Sequence, residues 1–381
     1  MPSSAVHWRV PLADVRLPEE AVSAAQDVLR GGWLSSGPHV ERFEVAFAEW
    51  LGVPHAVACA SGTAALQLAF AAADIGAGHE VVMPSLSFVA AANVARLAGA
   101  TPVFADVKGE EDLTLDPESV QRALSPRTRA LVAMHYGGHP CDPALVELAR
   151  EYNLTLIEDA AHAPGASGPL GRCGTWGAAG CFSFFANKNL PLGEGGMLVT
   201  ARDEVAERAR QLRSHGMTSG TWDRQAGGPA SYDVTSPGFN LRLDEMRAAI
   251  GVVLLTTLDA ENERRAGAVA RYRRRLEGSD RLAMPFGDRP GDERSAHHLA
   301  VVVLAPGADR DAVARELEMQ GIQTSVHYRP IHQLTAHRGA RAHAERTEAL
   351  APRLLTLPLF PDIEESQIDY VCDALTGALR A

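Results

Sequence analysis

One lysine of this chain has the surroundings that nucleophilic chemistry needs. Lys188 follows an apolar, aromatic segment, residues 181–185, and precedes a glycine-rich turn, residues 193–196. Loss of water around a lysine lowers the pKa of its amine and makes the amine nucleophilic, as a Schiff-base lysine requires. Ser183 in the same segment could donate a hydrogen bond to a phosphate. A solvated surface lysine is the common alternative, so it is the neighbourhood that makes Lys188 a candidate.

Two neighbouring carboxylates form a second candidate. Glu158 and Asp159 follow the apolar run at residues 154–157, and His162 comes three residues after Asp159. One of the carboxylates could pair with a heterocyclic nitrogen and keep it protonated, because an opposite charge favours the charged form. An ordinary solvated strand end is the alternative, and the segment alone does not decide between the two.

A small glycine-containing turn supplies a candidate phosphate site. Residues 61–65 read Ser-Gly-Thr-Ala-Ala. They lie between a predicted strand and a predicted helix, where backbone N–H groups can face an anion. The same turn also suits an ordinary helix cap. A polar turn at residues 238–245, which contains Asn240, looks by itself like a capped helix start.

These segments must be positioned by strands and helices that alternate along the chain. Short apolar runs predict strands at residues 55–59, 81–83, 102–105, 130–134, 154–157, 180–184 and 196–200. Apolar periodicity predicts helices that begin at Pro18 and Val40, and helices at residues 63–73, 117–124, 144–152 and 245–255. Such alternation indicates βαβ units and a mainly parallel sheet, in which ligands lie beyond the carboxyl ends of the strands.

The pattern changes at about residue 256. It predicts helices at residues 258–276, 311–320 and 365–379, strands at 298–304 and 322–328, and a Gly/Pro/Asp-rich stretch at 287–292. We therefore predict an α/β fold with a large domain, residues 1–255, into which residues 1–17 lead. A smaller α+β domain, residues 256–381, follows.

Composition limits the class of function. The formal charge, 36 − 47 = −11, argues against a general binder of nucleic acid or of acidic membranes. Five scattered cysteines form no Cys-x-x-Cys pair, so we expect no disulfide framework and a cytoplasmic location. No apolar run approaches the length of a membrane span. His135 and His139 have two glycines between them, which disfavours a helical metal pair, so no metal site is predicted.

The order of these motifs along the chain resembles the DegT/DnrJ/EryC1/StrS family of sugar aminotransferases. The matching segments are S-G-T-A-A-L from Ser61, E-D-A-A-H from Glu158, F-S-F-F-x-x-K-N from Phe182 and F-N-L-R-L-D-E from Phe239. The resemblance runs from residue 10 to about residue 361. It implies fold type I of the enzymes that depend on pyridoxal 5'-phosphate (PLP), with a large domain and a smaller C-terminal one.

The resemblance also implies roles for individual residues. Lys188 would hold the cofactor as a Schiff base and shuttle protons, and Asp159 would pair with the pyridinium nitrogen. His162 would lie beside the cofactor ring and Phe88 would stack on it. The phosphate would be held by the backbones of Gly62, Thr63 and Ala64, by the Ser183 hydroxyl and, from the neighbouring subunit of a homodimer, by Asn240. Substrate contacts are expected from Trp33, Ser35, His327 and Tyr328.

The resemblance finally suggests substrates. Residues 32–38, 87–93 and 193–197 look like the branch that aminates C4 of nucleotide-linked 4-keto-6-deoxyhexoses. We expect L-glutamate or L-glutamine as the amino donor and a dTDP- or UDP-linked sugar as the acceptor. A 3-keto sugar nucleotide or a keto-cyclitol remains an alternative acceptor. A non-catalytic sugar-nucleotide sensor is the alternative of another class.

Overall fold

The computed structural model describes residues 8–228, 230–287, 289, 291 and 293–380. Residues 1–7 of the predicted leading segment lie outside the described residues, as do Asp288, Pro290 and Asp292 of the predicted Gly/Pro/Asp-rich stretch. No helix among the described residues is both long enough and apolar enough to cross a membrane.

Helices and strands alternate through most of the chain. The helices are α1 (Glu19–Gly31), α2 (Pro38–Leu51), α3 (Gly62–Ala72), α4 (Ala90–Leu97), α5 (Pro117–Ala123), α6 (Ala144–Glu151), α7 (Asp203–Arg213), α8 (Thr221–Gln225), α9 (Glu245–Leu255), α10 (Leu258–Leu276), α11 (Arg310–Met319), α12 (Glu345–Leu350) and α13 (Glu365–Ala378). The strands are β1 (His55–Cys59), β2 (Glu80–Pro84), β3 (Thr101–Ala105), β4 (Thr128–Met134), β5 (Thr155–Asp159), β6 (Ser167–Gly168), β7 (Gly171–Arg172), β8 (Ala179–Ser183), β9 (Gly196–Thr200), β10 (Leu282–Ala283), β11 (Ala300–Leu304) and β12 (Leu354–Leu357).

A seven-stranded sheet in the order β1-β9-β8-β5-β4-β2-β3 forms the centre of the molecule. Strands β8, β5, β4, β2 and β3 are parallel neighbours, and β9 runs antiparallel to β1 and β8. Both faces are covered by helices: Val81 and Met83 pack in one core with α3 and α4, while Val82 packs in another with α5 and α6. The predicted α/β class with a mainly parallel sheet between helices is confirmed.

Helix ends follow the residues that favour them. Helix α1 ends at Gly31, and the next residue, Gly32, takes the left-handed conformation (φ 78°) that a side chain disfavours. Helix α3 begins with Ser61 as its cap, and α5 begins with Asp116 as its cap followed by proline. The three helices themselves were predicted. Helices α4 and α7 were not, and both pack against α3 on one face of the sheet.

A smaller antiparallel sheet, β10-β11-β12, lies in the C-terminal part and packs with α10, α11 and α13. The predicted strand at residues 322–328 is wrong. There only single bridges form, from Ile322 to Val10 and from Ser325 to Thr356, because β12 is the strand that pairs with β11. The predicted strand at residues 298–304 begins only at Ala300, since His297 takes a positive φ of 45°. The domain boundary at residues 255/256 stays a prediction.

Candidate active site

A cavity of about 360 Å³ lies at the carboxyl ends of the central parallel strands, where the sheet architecture places ligand sites. Nine residues predicted for the site line it: Gly62, Thr63, Phe88, Asp159, His162, Ser183, Lys188, His327 and Tyr328. Four others do not line it within one chain: Ala64, Asn240, Trp33 and Ser35.

Lys188 sits just beyond β8, among aromatic side chains and the imidazoles of His162 and His298. Burial lowers the pKa of Lys188 to about 8, and the carboxylate of Asp159 opposes that shift. An amine with this pKa is partly neutral near physiological pH, so its nitrogen lone pair is available for attack on a carbonyl.

The two neighbouring carboxylates have different roles, because successive side chains of a strand face opposite sides. Asp159 lines the cavity, where burial raises its pKa, and accepts a hydrogen bond from the N–H of Ala161 at 3.1 Å. Glu158 faces away and is fully buried. It accepts hydrogen bonds from the N–H groups of Gly174, Trp176 and Gly177, each at 2.7 Å. Asp159 is therefore the carboxylate that could meet a cationic nitrogen.

The turn before α3 forms a cradle for an anion. The first N–H groups of a helix have no carbonyl one turn back to donate to, so those of Gly62 and Thr63 can serve a ligand. The N–H of Ala64 donates instead to Ser61 Oγ at 3.1 Å, which leaves the predicted phosphate contact of Ala64 without a free donor. A Cβ on Gly62 would lie 2.7 Å from Ser183 Cβ, so only glycine lets β8 approach this closely.

Tyr328 and His162 form a hydrogen-bonded pair in the lining of the cavity. The Tyr328 hydroxyl lies 2.9 Å from Nε2 of His162, and Nδ1 of His162 lies 3.3 Å from the N–H of Gly137. The Phe88 ring lies on the rim, 54% exposed, with its centroid 6.0 Å from that of Tyr328. An exposed aromatic face at the rim suits stacking on a planar heterocycle.

The sequence patterns missed His298, whose Nε2 lies 3.4 Å from the Lys188 amine. The strand predicted at residues 298–304 begins with His298, and the pattern gives its side chain no role in the site. Because the strand starts later, His298 turns into the cavity instead. The signal available in the sequence was a histidine at the start of a predicted strand whose first residue the apolar pattern does not fix.

Three predicted residues lie in another part of the chain. The Trp33 ring packs on that of Trp222, with centroids 5.1 Å apart. Ser35 lines a second cavity, of about 300 Å³, whose cations are Arg210, Arg213 and Arg242. Asn240 forms a bridge with Ser214. Within the described part of one chain, none of the three lines the cavity that contains Lys188.

The cavity fits the cofactor that the motifs imply. It combines a buried amine of lowered pKa, a carboxylate on the same cavity wall, a helix N-terminus that Gly62 keeps open, and an exposed phenylalanine. PLP requires an amine, a partner for its ring nitrogen and donors for its phosphate, and each is present.

Comparison with known proteins supports the same assignment. The model of the DegT/DnrJ/EryC1/StrS aminotransferase family matches residues 16–376. The spore coat polysaccharide biosynthesis protein SpsC of Bacillus subtilis is 38% identical over 372 residues, 95% of each chain. The crystal structure of DesV of S. venezuelae, in complex with a ketimine intermediate, is 37% identical, with a TM-score of 0.88 over 98% of this chain and 99% of that one. DesI, solved in the presence of its TDP-sugar product, is 33% identical, with a TM-score of 0.86 over 99% of this chain and 94% of that one. The chain belongs to the DegT/DnrJ/EryC1/StrS aminotransferase family and is a PLP-dependent sugar aminotransferase.

Proposed function

We propose that the enzyme transfers an amino group from L-glutamate, or L-glutamine, to the C4 ketone of a dTDP- or UDP-linked 4-keto-6-deoxyhexose. DesI, which covers nearly the same length, was solved with a TDP-sugar product, which supports a nucleotide-linked sugar. The choice of C4 rests on the resemblance of residues 32–38, 87–93 and 193–197 to the C4-aminating branch. A 3-keto sugar nucleotide and a keto-cyclitol are the competing acceptors.

The observation that supports the catalytic role is the lowered pKa of the Lys188 amine. This amine has a pKa of about 8, because burial removes water that would stabilise the ammonium form. Lys188 would hold the cofactor through this amine. When the amine is free, it would take the donor's α-proton and later return a proton to the sugar carbon.

PLP supplies an electron sink for the carbon that loses the proton. Asp159 would make that sink effective by holding the ring nitrogen protonated. Gly62 and Thr63 would bind the phosphate through their N–H groups, together with the Ser183 hydroxyl. Phe88, at the cavity rim, would stack on the ring. His162 and Tyr328 border the cavity together, where a hydroxyl can donate to a ligand oxygen.

The proposal includes a homodimer. Asn240 resembles the family residue that reaches the phosphate of the neighbouring subunit, and in its own chain it does not line the cavity of Lys188. The cavity that contains Ser35 and Arg242 likewise lies apart from Lys188 within one chain. A second copy of this chain would bring such residues into the site.

A non-catalytic sugar-nucleotide sensor explains fewer features of the cavity. Binding alone needs no amine of lowered pKa beside a carboxylate, and both are kept here. The five cysteines are all buried and free, which fits a reducing compartment, so we propose that the enzyme works in the cytoplasm.

The acceptor is tested by supplying candidate ketones to the enzyme with L-glutamate. We expect amination of dTDP-4-keto-6-deoxyglucose or its UDP counterpart, with nitrogen on C4 of the product as located by NMR. Nitrogen on C3, or turnover only with the 3-keto isomer or a keto-cyclitol, would replace the C4 assignment. Binding of sugar nucleotides without turnover of any ketone would favour the sensor.

A further inference from the structure

The amine of Lys188 has a histidine as its hydrogen-bond neighbour. His298 is 6% exposed, precedes β11, and places its Nε2 atom 3.4 Å from the Lys188 Nζ atom. An imidazole nitrogen either donates or accepts, depending on which ring nitrogen carries the proton. The role of His298 towards Lys188 therefore depends on its tautomer, and its surroundings determine that tautomer.

Two backbone carbonyls orient the amides behind the histidine. The Asn189 amide lies 2.7 Å from the carbonyl oxygen of Ala296, and the Asn262 amide lies 2.9 Å from that of Pro164. A carbonyl only accepts, so each asparagine must turn its nitrogen towards the carbonyl. The oxygen of Asn262 then accepts the second N–H of Asn189 at 2.7 Å.

This arrangement leaves the amide oxygen of Asn189 facing Nδ1 of His298 at 2.9 Å. Because that oxygen can only accept, Nδ1 must carry the proton. Burial holds the pKa of His298 well below its ordinary value, and the nearby cations of Lys188 and Arg265 act in the same direction. The ring is therefore neutral, and its lone pair at Nε2 faces Lys188.

We infer that His298 is a positioning residue for the proposed transamination: its Nε2 accepts a hydrogen bond from the free amine of Lys188. The inference rests on the function proposed above and extends it to a residue outside the family motifs recognised in the sequence. A neutral amine has one lone pair. When one N–H is bound to His298, the amine is held in one orientation instead of rotating, so its lone pair can be kept towards the cavity for proton transfer.

Two substitutions separate the contacts of the imidazole. Asparagine at position 298 can keep the contact that Nδ1 makes with Asn189, but it is too short to reach Lys188. Glutamine extends to about the position of Nε2 and can present an oxygen to the amine. H298N should therefore lose the positioning, and H298Q should retain most of it.

The first measurement reports on the Lys188 amine in protein without bound PLP. In full-length protein freed of PLP, Lys188 is acylated with an amine-selective reagent over a pH series and quantified by peptide mass spectrometry. An acceptor at 3.4 Å favours the ammonium form, so its loss in H298N should lower the midpoint of labelling by roughly one pH unit. The Asp159 carboxylate and the imidazoles of His162 and His327, which also lie around this amine, are unchanged in both variants.

The second readout is the half-reaction of the PLP-loaded enzyme with L-glutamate, followed by its absorbance. We expect H298N to be slowed roughly tenfold and H298Q to recover most of the rate. An H298N variant with the wild-type midpoint and rate overturns the inference, as does an H298Q variant as impaired as H298N.

A measurement on the wild-type protein covers the case in which a variant fails to fold. Protein labelled with ¹⁵N-histidine should show the His298 proton at Nδ1, and a proton at Nε2 would overturn the inference. If wild-type enzyme shows no change with L-glutamate, the proposed function fails by itself. The labelling midpoint and the tautomer still report on His298 in that case.

Discussion

The hydroxyl of Tyr328 lies 2.9 Å from Nε2 of His162. The Nδ1 atom of that ring accepts from the N–H of Gly137 at 3.3 Å, so the ring proton is at Nε2 and is donated to the Tyr328 oxygen. Burial holds the pKa of His162 well below its ordinary value, which keeps the ring neutral. The hydroxyl proton of Tyr328 thus remains available for a ligand oxygen in the cavity.

Removing the Tyr328 hydroxyl should impair the reaction more than the fold. In Y328F the cavity loses its donor and His162 loses an acceptor, so we expect the half-reaction rate with L-glutamate to fall roughly tenfold. The matched control is Y152F, since Tyr152 is 41% exposed at the end of α6. Equal half-reaction rates in the two variants would show that the Tyr328 hydroxyl does not contribute to the reaction.

Filling the anion cradle should weaken cofactor binding. In G62A the new methyl group would meet Ser183 Cβ at 2.7 Å, so α3 and β8 must separate where the phosphate is expected. We predict a rise in the Kd for PLP of roughly tenfold or more, measured by titration of the PLP-free protein. G31A is the control, because a Cβ at Gly31 meets nothing within 4 Å. Unchanged affinity in G62A would place the phosphate elsewhere.

Glu158 should matter to stability. Its carboxylate accepts three backbone N–H groups at 2.7 Å and contacts Nε2 of His135 at 3.0 Å, all in the interior. In E158Q an amide NH₂ must face one of these donors, so we expect a loss of roughly 3 kcal/mol in the free energy of unfolding. Urea denaturation measures it, with E147Q as an exposed control. A loss no larger than that of E147Q would contradict the network.

The homodimer predicts that two inactive variants complement each other. K188A lacks the amine and N240A lacks the residue proposed to serve the neighbouring site, so a mixed dimer contains one intact site. Random mixing after co-refolding should restore about one quarter of wild-type activity, because half of the dimers are mixed and half of their sites are whole. If the mixture shows only the sum of the parent activities, Asn240 acts within its own chain.

Strand periodicity could establish that Glu158 and Asp159 face opposite sides, but it could not tell which side holds the ligand. The side that holds the ligand depends on a turn at residues 174–177. This turn lies further along the chain and supplies N–H donors to Glu158. The alternation of strands and helices was predictable because each buried strand is a short apolar run bounded by helical patterns.

The segment at residues 322–328 shows why local pattern was insufficient elsewhere. Its residues bridge to Val10 and Thr356, which are distant in sequence, and its last residues, His327 and Tyr328, line the cavity instead of extending a strand. The tautomer of His298 likewise depends on residues distant in sequence, Asn262 and the carbonyl of Pro164. Contacts between remote segments decide such positions, and one sequence does not display them.

The central claim, that Lys188 carries the cofactor for transamination, is tested most directly by visible absorbance. Wild-type protein incubated with PLP should show the band of a lysine-bound cofactor, and L-glutamate should replace that band with the absorbance of pyridoxamine phosphate. K188A should show neither the band nor the replacement. A wild-type protein without this band, or a K188A variant that responds to L-glutamate as wild type does, would contradict the account.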